Sequence, residues 1–147
     1  MDEPPILICY DGSDGARRAI DVAGELFPGC HAVVLDVAPL LTAAESVAEL
    51  SALTPNFGEI NQDEALGRAR EGATRAREAG LTADARADLS APTWEGIVDV
   101  ADEIDAAVIV VGSRGLTGVR ELFEGSVSHD VAEHAGRPVL VVPPRRS

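Results

Sequence analysis

The run Ala106-Ala107-Val108-Ile109-Val110-Val111 constrains this chain more than any other stretch, because it is apolar throughout. A strand with one face in water alternates apolar and polar residues. One that does not alternate is covered on both faces, as a central strand of a parallel sheet is. Four more strand-like segments accompany it: Ile6–Tyr10, Ala32–Val37, a less apolar one at about Thr82–Ala87, and Pro138–Pro143.

Segments of helical period lie between these strands. Ala16, Ala19, Ile20, Ala23, Leu26 and Phe27 make one stripe, with Ser13 or Asp14 as its cap and Pro28-Gly29 as its stop. Ala65, Leu66, Ala69, Ala73 and Ala76 make a second, closed by Gly80. Trp94, Ile97, Val98, Ala101 and Ile104 share one face of a segment running from Thr93 to Glu103. A last helix is expected from about Ser126 to His134, ended by Gly136. Leu40–Asn61 is the least regular stretch; Thr42-Ala43-Ala44-Glu45 has capping-box form, so a short helix to about Leu53 is expected before Pro55. Because strands and helices alternate and crossovers are right-handed, the expected architecture is α/β. It is a single doubly wound open sheet of five parallel strands with helices on both faces, one domain over residues 1–147.

Charge narrows the function. The formal net charge is −13, and all twelve basic residues are arginine. Such a surface does not neutralise nucleic-acid phosphates, so no nucleic-acid partner is expected. Without lysine there is no Walker-type P-loop, no Schiff base and no phospho-receiver site. No segment reaches the roughly 18 apolar residues of a membrane span. The acidic start Met1-Asp2-Glu3-Pro4-Pro5 does not read as a signal peptide. Cys9 and Cys30 read as buried thiols in a reducing compartment, so a cytoplasmic location is expected. His31, His129 and His134 have no metal-ligand spacing, and no protein metal site is expected.

Open parallel sheets bind ligands beyond the carboxyl ends of their strands, where strand order reverses. Those ends carry Asp11, Val37 and Gly112. After Gly112-Ser113-Arg114-Gly115 come nine residues, then Gly125-Ser126-Val127-Ser128. Glycine lets backbone N–H groups approach phosphate oxygens closely. A helix opening at Gly125-Ser126 would add free N–H groups and a partial positive charge. Ser126 and Ser128 bring hydroxyls, and Arg114 a planar fork suited to phosphate.

In this pattern the sequence resembles the universal stress protein family, whose ATP-binding members carry Gly-x-x-Gly, nine residues, then Gly-[Ser/Thr]. Gly112, Gly115, Gly125 and Ser126 complete it. The opening strand with Asp11-Gly12-Ser13, the segment Leu35-Asp36-Val37 and the closing Arg137-Pro138-Val139-Leu140-Val141-Val142-Pro143 extend the likeness along essentially the whole chain. The resemblance implies strand order 3-2-1-4-5 and an adenine nucleotide, ATP or a relative of it, with or without Mg²⁺. It places Val37 at adenine and Asp11 at the nucleotide. Asp11 itself reads either as a turn residue that starts the Asp-Gly-Ser bend or as a group facing a phosphate-bound Mg²⁺ or an adenine or ribose group. It places Gly112, Ser113, Arg114 and Gly115 along ribose and phosphates, and Gly125, Ser126, Val127 and Ser128 at the phosphate tail. A homodimer through the edge strand Pro138–Pro143 follows from the same strand order, since an apolar edge invites pairing.

The expected function is a regulatory or sensor module of the stress response that binds ATP. The glycine loop offers no obvious general base or nucleophile, so weak ATP hydrolysis is the most that is expected. The alternatives are a slow ATP-hydrolysing enzyme and a dimeric interaction module that needs no nucleotide.

Overall fold

The computed structural model describes residues 3–39, 57–90, 93–113 and 121–144. Five strands, β1 (Ile6–Cys9), β2 (His31–Pro39), β3 (Thr82–Ser90), β4 (Val108–Gly112) and β5 (Val139–Val142), form one sheet. Every pairing is parallel and the order is β3-β2-β1-β4-β5. Among the described residues four helices connect them: α1 (Asp14–Leu26), α2 (Phe57–Glu78), α3 (Thr93–Ile104) and α4 (Glu121–His134). No described helix is long and apolar enough to cross a membrane.

The lack of alternation in β4 has the cause inferred for it. Ile6, Ile8, Tyr10, Val34, Val110 and Val142 point to one side, where Ala16, Ala19, Ile20 and Ala23 of α1 meet Ala73 and Ala76 of α2. Leu7, Leu35, Ile109 and Val111 point to the other, onto Ile97, Val100 and Ala101 of α3 and Val131 of α4. Burial of each large aliphatic side chain contributes about 1.5–3 kcal/mol. Where α1 and α2 touch the sheet the helix residues are mostly alanine, so both helices approach closely.

Helix ends follow local chemistry. Ser13 caps α1, its Oγ accepting the Ala16 N–H at 3.2 Å. Trp94 in the first turn of α3 stacks on His134 at the end of α4, with ring centroids 4.3 Å apart. His134 also directs Nδ1 at the Asp130 carbonyl oxygen, 2.8 Å away. Trp94 is therefore an anchor between two helices.

Two boundaries depart from the sequence reading. α2 begins at Phe57, well before the Ala65 stripe, because Asn61-Gln62-Asp63-Glu64 contains no breaker even though it lacks an apolar stripe. α4 begins at Glu121, not near Ser126. Glu121-Leu122-Phe123-Glu124 consists of sound helix formers, and glutamate favours a first turn. One glycine at position 125 costs about 1 kcal/mol against alanine, too little to stop the helix. The short helix expected up to about Leu53 falls outside the described residues.

Candidate functional site

β1 feeds its helix crossover toward β2, while β3 crosses to β4 on the far side of β1, so chain direction diverges between β1 and β4. A cleft opens beyond their carboxyl ends. Its floor is Cys9, Tyr10 and Asp11 from β1 and the turn after it, with Val111 and Gly112 from β4. Leu35 and Val37 of β2 form one wall; Thr93 and Ile97 of α3 and Val127 of α4 form the rest.

Four residues named from the sequence therefore meet here: Asp11, Val37, Gly112 and Val127. Ser113 stands at the rim with its N–H bonded to the Val142 carbonyl at 2.9 Å, so its backbone belongs to the β4–β5 ladder. Ser128 is buried, next to Val127 on α4. Arg114 and Gly115 lie outside the described residues.

Gly125 and Ser126 require a correction. They lie in the second turn of α4, not at its start. In an α-helix such N–H groups bond carbonyls four residues back, so they are not the free donors that a helix start at Ser126 would supply. Gly112, in turn, has a packing reason to be glycine. A Cβ there would lie 3.0 Å from the Gly15 carbonyl oxygen, where α1 crosses the end of β4.

Asp11 is the charged residue among the described lining of the cleft. Its Oδ1 accepts the Ser13 N–H at 3.0 Å and fixes the turn. Its Oδ2 is buried and has no hydrogen-bond partner among the described residues. An unmet buried acceptor costs roughly 1–3 kcal/mol, which a donor brought by a ligand would offset. Beside it, burial and then the Asp11 charge push the Cys9 thiol up to about 12, so it stays protonated and unreactive near neutral pH.

Sequence reasoning missed Cys9, Leu35, Thr93 and Ile97 as cleft residues. Cys9 ends β1, Leu35 lies mid-way along β2 level with it, and Thr93 and Ile97 lie in the first two turns of α3, the helix that follows β3. It also missed an ion pair on the α2 side of β2, with one buried partner. Asp36 on β2, 2% exposed, receives Arg68 Nε at 2.7 Å and Nη2 at 3.3 Å from α2.

The model of the universal stress protein family matches residues 4–143. The chain belongs to that family. It is 33% identical to universal stress protein YxiE of Bacillus subtilis over 93% of this chain and 97% of that protein. It is 38% identical to a Thermus aquaticus universal stress protein, over 93% and 96% of the two chains. Among solved structures, a universal stress protein in complex with cAMP superposes with a TM-score of 0.66 at 27% identity, covering 94% of this chain and 95% of that one. The Archaeoglobus fulgidus universal stress protein in complex with dAMP gives 0.66 at 26%, covering 97% and 99%. The shared fold is the five-stranded parallel sheet in the order found here.

Proposed function

We propose that this universal stress protein binds an adenine nucleotide in the cleft between β1 and β4 and serves as a cytoplasmic regulatory or sensor module of the stress response. The observation that carries the reading is Asp11 Oδ2, which has no hydrogen-bond partner among the described residues and is buried in a cleft otherwise lined mainly by apolar groups. A purine ring matches the apolar part, between Val37 and Val127. A ribose hydroxyl or an exocyclic amine supplies the donor that Asp11 lacks. The cAMP and dAMP complexes of relatives support the same ligand class.

ATP is the proposed ligand. Its phosphates would leave the cleft past Gly112 along Ser113, Arg114 and Gly115, toward the turn of α4 that carries Gly125, Ser126, Val127 and Ser128. A phosphate-bound Mg²⁺ would sit at that outer end, because Asp11 has only one carboxylate oxygen left to offer and it is buried. Cys9 stays protonated near neutral pH and offers no base for hydrolysis, and Asp11 Oδ2 is assigned to the nucleotide's donor.

Thermal scans test this reading. A ligand held by the native state alone adds about 2.7 kcal/mol at 100 times its dissociation constant. The melting temperature should therefore rise by several degrees with ATP, ADP, AMP or cAMP and stay put with GTP. Repeating the scans with Mg²⁺ shows whether the ion contributes. No shift with any adenine nucleotide contradicts the proposal.

A homodimer through β5 belongs to the same proposal. β5 is an edge strand, and Val141 on it is 39% exposed. Edge-to-edge pairing about a two-fold axis would satisfy the strand backbone and cover Val141, while Pro138 and Pro143 limit the register. Val141→Glu should turn a dimer into a folded monomer by light scattering. An unmodified protein that is already monomeric at high concentration would exclude this interface.

A further inference from the structure

We propose that Arg68, beside the turn that carries Asp11, sets the charge felt in the cleft and thereby lets it accept a polyphosphate; this rests on the nucleotide-binding reading above. Asp11 lies in the turn after β1, and Asp36 lies on the adjacent strand β2, one residue past Leu35, which is level with Cys9 at the end of β1. Asp11 lines the cleft, and so do Leu35 and Val37 on either side of Asp36, whose own side chain turns to the opposite face of β2, toward α2. On a chain of net charge −13 this is an adverse place for a ligand that carries up to four negative charges.

Arg68 answers that problem from α2. Asp36 is almost wholly buried, and the guanidinium grips both of its oxygens. The stem of Arg68 runs beside the turn that holds Asp11: a Cβ at Gly12 would lie 3.7 Å from Arg68 Cδ. Asp36 first, and Glu64 and Asp11 by charge, strengthen the hold of the guanidinium on its proton. One arginine thus lies against both carboxylates. Its side chain is 39% exposed, so its charge is not confined to the buried Asp36.

A residue that only holds the fold would affect all ligands alike. A residue that sets charge affects them in proportion to theirs, and opposite charge changes act in opposite directions. The experiment measures dissociation constants for adenosine, AMP, ADP and ATP at low salt in Arg68→Met, Asp36→Asn and the double variant. Arg68→Met should weaken ATP by about tenfold while adenosine changes by less than about threefold, with AMP and ADP between. Asp36→Asn, which keeps Arg68 and removes a negative charge, should shift the ATP-to-adenosine preference the other way. The double variant has the net charge of the unmodified chain and should restore the preference. Because removing one partner of a buried ion pair can unfold a protein, Asp36→Asn and the double variant keep the test decisive if Arg68→Met does not fold. Equal losses across the four ligands, or an unchanged ATP-to-adenosine ratio in Asp36→Asn, overturn the inference. If the unmodified chain binds none of the four, the nucleotide reading fails and this inference falls with it.

Discussion

Gly72→Val is expected to destabilise the chain by about 3 kcal/mol, the upper end of ordinary overpacking costs. α2 crosses the sheet at this residue. A Cβ on Gly72 would stand 2.8 Å from Tyr10 Cδ2, 2.9 Å from Tyr10 Cγ and 2.8 Å from Val34 Cγ1. Neither neighbour can step aside. Val34 is fully buried in β2, and the Tyr10 ring is pinned at its far end by a 2.7 Å bond from its hydroxyl to Glu71 Oε1. Glycine inside a helix costs about 1 kcal/mol against alanine, so its presence here reflects the close approach. Urea unfolding should show a much lower midpoint with an unchanged slope. Gly67→Ala is the control: on the same helix its Cβ meets nothing within 4 Å, and stability should rise by up to about 1 kcal/mol. Equal stability of Gly72→Val and the unmodified chain would mean that α2 does not sit this close to the sheet.

Val37→Trp is expected to weaken adenine-nucleotide binding by about a hundredfold or more, roughly 2.7 kcal/mol. Val37 is half-buried at the carboxyl end of β2, on the wall of the cleft. An indole there would occupy the volume assigned to the purine. Aromatic residues suit strands, so the fold should persist with a melting temperature within a few degrees of the unmodified chain. Undiminished binding by a folded Val37→Trp protein would place the nucleotide elsewhere.

The sheet was legible because the physics that selects its residues is local. β4 is buried on both sides, and its segment reads apolar at every position for that reason. Strict interleaving of such runs with helical stripes then led to the parallel sheet, and its carboxyl ends pointed to Asp11, Val37 and Gly112. The start of α4 was misread because Gly125-Ser126 has the chemistry of a cap, and only the three-dimensional chain shows that Glu121 already begins the helix.

The pair Asp36–Arg68 was illegible for a different reason. An aspartate inside the run Val33-Val34-Leu35-Asp36-Val37 announces a buried charge that needs a partner, but no spacing rule names a residue 32 positions away. Gly72 has the same character: one glycine in a charged helix looks like a propensity defect until Tyr10 and Val34 are seen against it. Thr93 and Ile97 were placed on α3 correctly, but their share in the cleft depends on how α3 packs over the sheet.

Calorimetric titration of the intact chain with ATP, ADP, AMP, cAMP and dAMP tests the central claim most directly. The account predicts saturable binding of at least one of them, one nucleotide per chain. Flat titrations with all five, on protein that is folded and freed of any co-purified nucleotide, would contradict it.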